Sequence, residues 1–376
     1  MPIKKILIGT IFLALVVGLG WGYQEGREPV PPEIEAPMKE PSLEISFLAV
    51  GDVMLARKVE RLMQANGDSY PFIKISSHLK KADLTFGNLE SPLSDRGTPL
   101  PGKGIQFRGR PQLANTLRES GFDVLSVANN HALDYDAPAF LDTIELLREA
   151  GVLTVGGGQD LTEARRPVIV EKNGLKVGIL AYTDFADIYF DYSYRRSFEA
   201  TDERSGVAPL REDMILEDLA ELKPYVDVVI VSLHWGTEYS PVPDKSQQVM
   251  AKALIDGGAH LIIGHHPHII QGFEQYKNGL IAYSLGNFIF DQNQHVYTRE
   301  GLILEVNLIP GGLGEIRVRP VFIEESQPYL LEGQAAQQLL EKVQNQTRRL
   351  GTESVINGDY LELQGLQKKQ AQDGVS

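Results

Sequence analysis

Between residues 45 and 290 the chain is built from short apolar runs, each ending in a small or polar residue. Val228-Val229-Ile230-Val231-Ser232-Leu233 and Leu261-Ile262-Ile263 are two of them. Continuous β-branched runs of this length suit strands buried on both faces, which requires a sheet covered by helices. Strands are expected over 45–50, 84–87, 122–128, 175–182, 227–233, 260–264 and 280–284. Helical period fills the gaps. Phe140, Ile144 and Leu147 recur at i, i+4 and i+7 before Gly151; Leu113 and Leu117 follow Pro111; Ile215, Leu219 and Leu222 precede Pro224. This alternation predicts an α/β fold, and the more regular runs 301–308 and 315–323 predict added antiparallel strands.

The tips of these runs carry the chemistry. In order they are Val50-Gly51-Asp52, Gly87-Asn88-Leu89-Glu90, Asn129-Asn130-His131, Leu233-His234-Trp235-Gly236, Gly264-His265-His266-Pro267-His268 and Tyr283-Ser284-Leu285-Gly286-Asn287-Phe288. Binding sites in α/β sheets lie at the carboxyl ends of strands, so these tips can meet. Two imidazoles spaced H-x-H at a strand end can turn toward one point, as a metal ion requires. Taken singly, each residue has an ordinary structural use. Asp52 suits a helix cap for the segment near Met54, Asn130 a turn, and His234 beside Trp235 a packed core position. His265 is expected to face solvent or a partner behind the site, and Asp83 rivals Glu90 as the second carboxylate. Ser284 and Asn287 read as loop residues that order ligands by hydrogen bonds. Tyr283-Ser284 is no nucleophile, since no G-x-S-x-G elbow surrounds it. His78 and His295 are expected to be exposed. In the Gly/Pro-rich loop 97–111, Lys103, Arg108 and Arg110 read either as contacts for an anionic substrate or as an ordinary solvated loop.

Composition narrows the options. The chain has no cysteine, which excludes disulfides, thiolate ligation, a cysteine nucleophile and a lipoprotein anchor. A metal must therefore rest on imidazole, carboxylate and amide ligands, which suit zinc, manganese or iron. A net charge of −14 disfavours a nucleic-acid groove and fits a soluble surface.

Lys4 and Lys5 precede an apolar stretch from Ile6 to Tyr23, just long enough to cross a membrane. The positive-inside rule then predicts a single-pass anchor over 1–23, with the remainder outside the cytoplasm at the cell membrane. A cleaved signal peptide is the competing reading, although Gly18-Leu19-Gly20-Trp21-Gly22 offers no A-x-A site. Residues 24–43, with five prolines, read as a spacer. The main domain is expected over 44–328, followed by a helical and polar tail over 329–376. In that tail, Leu339, Leu340 and Val343 predict one helix over 334–349, and the end from Gln364 reads as disordered.

The ordered tips, together with Asp134 and Glu238, resemble the CapA/PgsA family of bacterial capsule (poly-γ-glutamate) synthesis proteins. The likeness rests on "SVANNHALDYD", "LHWGTEY", "IIGHHPHIIQ" and "YSLGNFIFD" and covers residues 44–295. That family is similar in fold to the calcineurin-like metallophosphoesterases, which implies an α/β/β/α sandwich of two mixed sheets flanked by helices. The resemblance implies one or two divalent ions. Asp52 and His268 would serve one, Asn130, His234 and His266 the other, and Glu90 would bridge. His131 would stay free of metal as the catalytic residue, a general acid or a stabiliser of leaving-group charge. The implied activity is metal-dependent hydrolysis of a phosphoester, or of an amide or ester, on or beside an anionic cell-surface polymer such as poly-γ-glutamate. The alternative is a non-catalytic export or assembly subunit that partners a membrane synthase. A weaker third option is an outer-face phosphatase unrelated to capsule. The chain departs from the phosphoesterase pattern at two points and from the capsule family at a third. Asp52-Val53-Met54 replaces D-x-H, Glu90 stands for an Asp, and His260 occupies a position where an Asp is expected and reads as structural or as a neighbour of the ligands.

Overall fold

The computed structural model describes residues 43–188 and 196–363. The predicted membrane span lies outside them, as do all but the last residue of the spacer and the end from Gln364. Among the described residues no helix is long and apolar enough to cross a membrane.

Two mixed sheets dominate. The first orders its strands as Ser354–Asn357, Tyr360–Leu363, Gly312–Glu324, Glu300–Ile309, Ile45–Val53, Leu84–Leu89, Val124–Ser126 and Leu153–Val155; Asn287–Ile289 and Gln327–Leu330 pair at its sides. The second orders Phe273–Tyr276, Gly279–Ala282, Leu261–His265, Val228–His234, Leu175–Thr183 and Val168–Lys172. The central strands of each are parallel, so their carboxyl ends share one edge.

Alternation along the second sheet shows how the layers stack. Val177, Ile179, Val228, Ile230, Leu261 and Ile263 share one apolar cluster with Phe47, Ala49 and Phe86 of the first sheet. Their neighbours Leu180, Tyr182, Val229, Val231 and Ile262 point the other way. They pack on Ile215 and Leu219 of the helix Glu212–Leu222 and on Ala251 and Leu254 of the helix Lys245–Gly257. Both faces of these strands are thus dry, as the unbroken apolar runs predicted. Each such side chain contributes roughly 1.5–3 kcal/mol of burial. The helix Lys245–Gly257 starts at a capping box: Asp244 accepts from the Gln247 backbone at 2.9 Å, and the Gln247 side chain accepts from the Asp244 backbone at 3.0 Å. That helix was not among those expected between the strands; the expected ones, besides Glu212–Leu222, are Leu113–Ser120 and Asp136–Glu149, and the chain reverses at Gly151 with φ +80°.

Two expectations need correction. The run 122–128 forms a strand only over Val124–Ser126, because the Ser126 hydroxyl accepts from the Ala128 backbone at 3.3 Å and turns the chain toward the site. The boundary at residue 328 does not set off a tail. The helix Gly333–Arg349 buries Ala336, Leu339, Leu340 and Val343 and packs on strands of both sheets. Tyr360–Leu363 then joins the first sheet, with Leu361 opposite Val318. The stripe reads as weak in sequence because most of this helix faces water, yet its apolar side closes the main core.

Candidate metal centre

Strand register puts the tips side by side. Asp52 is opposite both Asn88 and Asn287, and His234 is opposite both Thr183 and His265. Glycines let the strands meet so closely. A Cβ on Gly51 would stand 1.8 Å from the Gly286 carbonyl oxygen, and one on Gly264 would stand 1.9 Å from that of Tyr283. Beyond Gly264 the backbone is forced into the left-handed region at His266 (φ +95°) and His268 (φ +57°). Non-glycine residues hold such angles only where their surroundings impose them, and such sites are commonly functional. Here the Asp52 carboxylate accepts from the His266 backbone at 3.3 Å, and the Pro267 carbonyl accepts from the Tyr239 backbone at 2.9 Å.

All six residues put forward as ligands come together. Asn130 Oδ1 is 3.0 Å from His234 Nε2. Asp52, Glu90 and His234 each offer an atom within 4.8 Å of the others. His268 joins them, with Nδ1 3.5 Å from Asp52 Oδ2 and Nε2 3.7 Å from Glu90 Oε1. The His266 ring is centred 4.9 Å from that of His234 and 5.9 Å from that of His268. Glu238 was not proposed as a ligand, but it gathers with His266 and His268 within the same 4.8 Å. It is exposed and marks the open side of the cluster.

A second ring of polar residues holds the first. The Asn88 amide donates to Asp52 at 2.9 Å and lies 3.4 Å from His234 Nδ1, while Asn129 donates to Asn88 and to the Leu89 carbonyl. Sequence reasoning gave Asn88 and Asn129 no role, although both stand at strand tips that carry candidate ligands. Asn287 faces His268 at 3.0 Å, and Ser284 donates to the Ile269 carbonyl at 2.8 Å, as expected of residues that order the loop. His131 is not among the grouped ligand atoms. Its Nδ1 is 2.7 Å from Asp134 Oδ2, and its ring stacks on Phe107 at 3.8 Å.

The structure decides several open sequence readings and overturns others. Asp83 sits at the opposite end of its strand, where it accepts from Ser46, so Glu90 is the carboxylate at the site. His265 does not face solvent. It is buried with Nδ1 3.3 Å from Asp52 Oδ1, behind the cluster. Lys103 is not solvated: it is buried, pairs with Asp134, and lies 3.1 Å from His131 Nδ1. Arg108 lies over the Tyr135 ring, and Arg110 pairs with Glu60 and Asp68. His78 is half-buried against Glu305 at 2.8 Å, while His295 is exposed. His260 is structural, its Nδ1 accepting from the Val229 backbone at 3.0 Å.

Electrostatics favour a cation here. Burial pushes the Glu90 carboxyl well above the usual carboxylate range, and the Asp52 and Glu238 charges add to the rise. Burial opposes charge on His268, yet Glu90 and Asp52 outweigh it and raise this imidazole to about 9. Burial would also raise Asp52, but His265 and His268 hold it well below its ordinary value. The two carboxylates therefore recruit a positive charge between them. Burial lowers His266 to about 3, with His268 adding to the drop, and it lowers His234 well below the ordinary imidazole value. Both are thus neutral, as ligation requires. Both Glu90 oxygens and His266 Nδ1 are buried without a hydrogen-bond partner. Such orphaned acceptors are costly in a dry interior and fit an ion-binding role. The donor set fits a divalent metal.

A family model described as bacterial capsule synthesis protein PGA_cap matches residues 46–292. The chain belongs to that family. It is 34% identical to "Capsule biosynthesis protein CapA" of Bacillus anthracis over 79% of this chain and 72% of the relative. It is 32% identical to "PGA biosynthesis protein CapA" of Bacillus subtilis over 76% of this chain and 73% of the relative. Among solved structures, a putative 5'-nucleotidase of Staphylococcus aureus aligns with a TM-score of 0.43 and 13% identity, over 80% of this chain and 58% of that one. The capsule-family match spans every residue of the cluster, from Asp52 to His268.

Proposed function

We propose that this capsule-family protein is a metal-dependent hydrolase at the outer face of the cell membrane, acting on an anionic surface polymer or a phosphoester associated with it. One observation carries the reading: a buried set of carboxylate, amide and imidazole donors in which both Glu90 oxygens and His266 Nδ1 have no hydrogen-bond partner. Asp52 and His268 would hold one ion, and Asn130, His234 and His266 a second, with Glu90 between them. A divalent metal bound there supplies electrophilic activation of water and neutralises charge that develops in the transition state.

His131 does the proton work. Burial drives its imidazole down to about 4 against the pull of Asp134, so the ring is neutral at working pH. Its Nδ1 proton rests on Asp134, which leaves Nε2 to take up a proton and return it to the leaving group. Phe107, stacked on the ring, fixes its plane and keeps water from that face. Lys103 neutralises Asp134 and bonds the Asn130 carbonyl, tying the proton relay to the amide ligand.

The relatives' names speak of capsule and PGA biosynthesis, which supports a carboxylate polymer of the poly-γ-glutamate kind as substrate or cargo. The apolar stretch after Lys4 and Lys5 supports a single-pass anchor and contact with a membrane synthase. Those same names describe biosynthesis rather than hydrolysis, which favours a second reading: an assembly or export subunit that grips its cargo through the metal centre.

Metal analysis of the full-length protein, with turnover on phosphodiester and γ-glutamyl substrates, separates the two. The hydrolase reading expects metal-dependent turnover that falls by roughly 10²–10⁴ in His131→Ala while metal content is kept. Bound metal without turnover on any substrate favours the assembly subunit. A protein that takes up no divalent metal overturns both.

A further inference from the structure

An anionic substrate must approach a centre that already holds Asp52, Glu90 and Glu238; in loop 97–111, Lys103 pairs with Asp134, Arg110 with Glu60 and Asp68, and Arg108 bonds the Arg96 carbonyl over the Tyr135 ring. The structure offers a different cation. Arg57 opens the helix Arg57–Asn66, immediately after the strand that delivers Asp52. Its backbone is left-handed, with φ +53°, which is uncommon for a residue other than glycine. Its guanidinium lies 4.6 Å over the Phe107 ring and 5.8 Å from the centre of Phe290. Both rings also border the site, Phe107 stacked at 3.8 Å on His131 and Phe290 centred 4.8 Å from His268. A single aromatic ring therefore separates Arg57 from the proton relay, and another separates it from a ligand.

Another ring borders the cluster. Tyr239 is itself left-handed at φ +60° and centred 6.2 Å from His268.

The guanidinium is held but not used up. Asp291 accepts from Nη2, and the other oxygen of Asp291 accepts from the Lys58 backbone at 3.1 Å. Nε is buried with no partner, and the side chain remains 35% exposed. An arginine clamped at one edge, stacked on an aromatic face and still partly open to solvent is set up to receive an oxyanion in a fixed orientation.

We propose that Arg57 binds an anionic oxygen group of the substrate, phosphate or carboxylate, and orients the neighbouring scissile bond over the cluster of Glu90, His266 and His268. This deepens the hydrolase reading and rests on it for the identity of the reacting bond. The anion contact itself does not depend on turnover. Phe107 would serve both ends, carrying the guanidinium on one face and His131 on the other, so that anion binding and proton transfer share one support.

The test is calorimetric titration of inorganic phosphate and, separately, of glutarate into the full-length protein, with and without manganese. The wild-type protein is expected to bind at least one. Arg57→Gln should weaken that binding roughly tenfold or more, Arg57→Lys should restore part of it, and Arg61→Ala, which removes an equal charge from an exposed position of the same helix, should leave it unchanged. Phosphate binding assigns the contact to a phosphoester, and glutarate binding to a carboxylate polymer. Thermal melting and manganese uptake of Arg57→Gln should match the wild type, so that lost binding is not lost folding. Equal anion affinity in wild type and Arg57→Gln overturns the proposal, as does a wild-type protein that binds neither anion. If manganese fails to bind while anion affinity still depends on Arg57, the hydrolase reading falls and the anion site stands.

Discussion

Asn287 accepts from His268 Nδ1 at 3.0 Å through its side-chain oxygen, while its amide nitrogen donates to the Thr298 carbonyl at 2.9 Å. With the nitrogen committed to Thr298, the oxygen must face the imidazole. His268 therefore carries a proton on Nδ1 and turns Nε2 toward Glu90, so Nε2 is the atom left to exchange its proton for a metal.

Asn287→Ala removes this control of the tautomer. Metal affinity is expected to fall roughly 10–100-fold. A titration against a metal buffer checks it, and unchanged affinity would show that the packing of Phe290 alone orients His268.

Asp134 and Lys103 make a buried ion pair, with side chains 0% and 5% exposed. Removing one partner strands the other charge in a dry interior. Asp134→Ala is expected to cost about 3–5 kcal/mol in denaturant unfolding. A loss below about 1 kcal/mol would mean that Lys103 escapes to water.

His260 predicts a pH dependence away from the cluster. Burial lowers its imidazole, Lys223 adds to the drop, and Nδ1 already accepts from the Val229 backbone. A proton on Nδ1 would confront that N–H. Below about pH 6.5 the unfolded chain binds the proton more readily than the folded one. This contribution to stability is therefore complete above the unfolded value and is lost as pH falls through it. Subtracting the stability curve of His260→Gln from that of the wild type isolates the effect from the other buried histidines. A flat difference between pH 5 and 8 would rule it out.

Ending the chain after Leu330 removes Leu339, Leu340, Val343, Leu361 and Leu363 from the main core. It also uncovers the Gly312–Glu324 strand at its pairing with Tyr360–Leu363. The shortened protein is expected to lose cooperative unfolding and to aggregate through that bare edge. A soluble product with a wild-type melting profile would show the segment to be dispensable.

The α/β alternation and the strand-tip residues were legible because both are local patterns. A run such as Val228–Leu233 must be covered on both faces wherever it lies, and a polar residue after it must emerge where the strand stops. The last elements were illegible for the converse reason. Two short strands and a Gln-rich helix carry few apolar residues of their own and become core only against partners tens to hundreds of positions away.

Residue order alone decided that Asp52, Asn130, His234, His266 and His268 stand at the ends of buried strands, because burial and backbone period act over a few neighbours. Packing decided the rest: that Glu90 rather than Asp83 reaches the cluster, that Lys103 turns inward to Asp134, that His265 backs onto Asp52, and that Arg57 lies over Phe107. Each of those outcomes depends on which distant side chain supplies the opposite charge or the covering ring. Such pairings exist only once the two sheets have closed on each other.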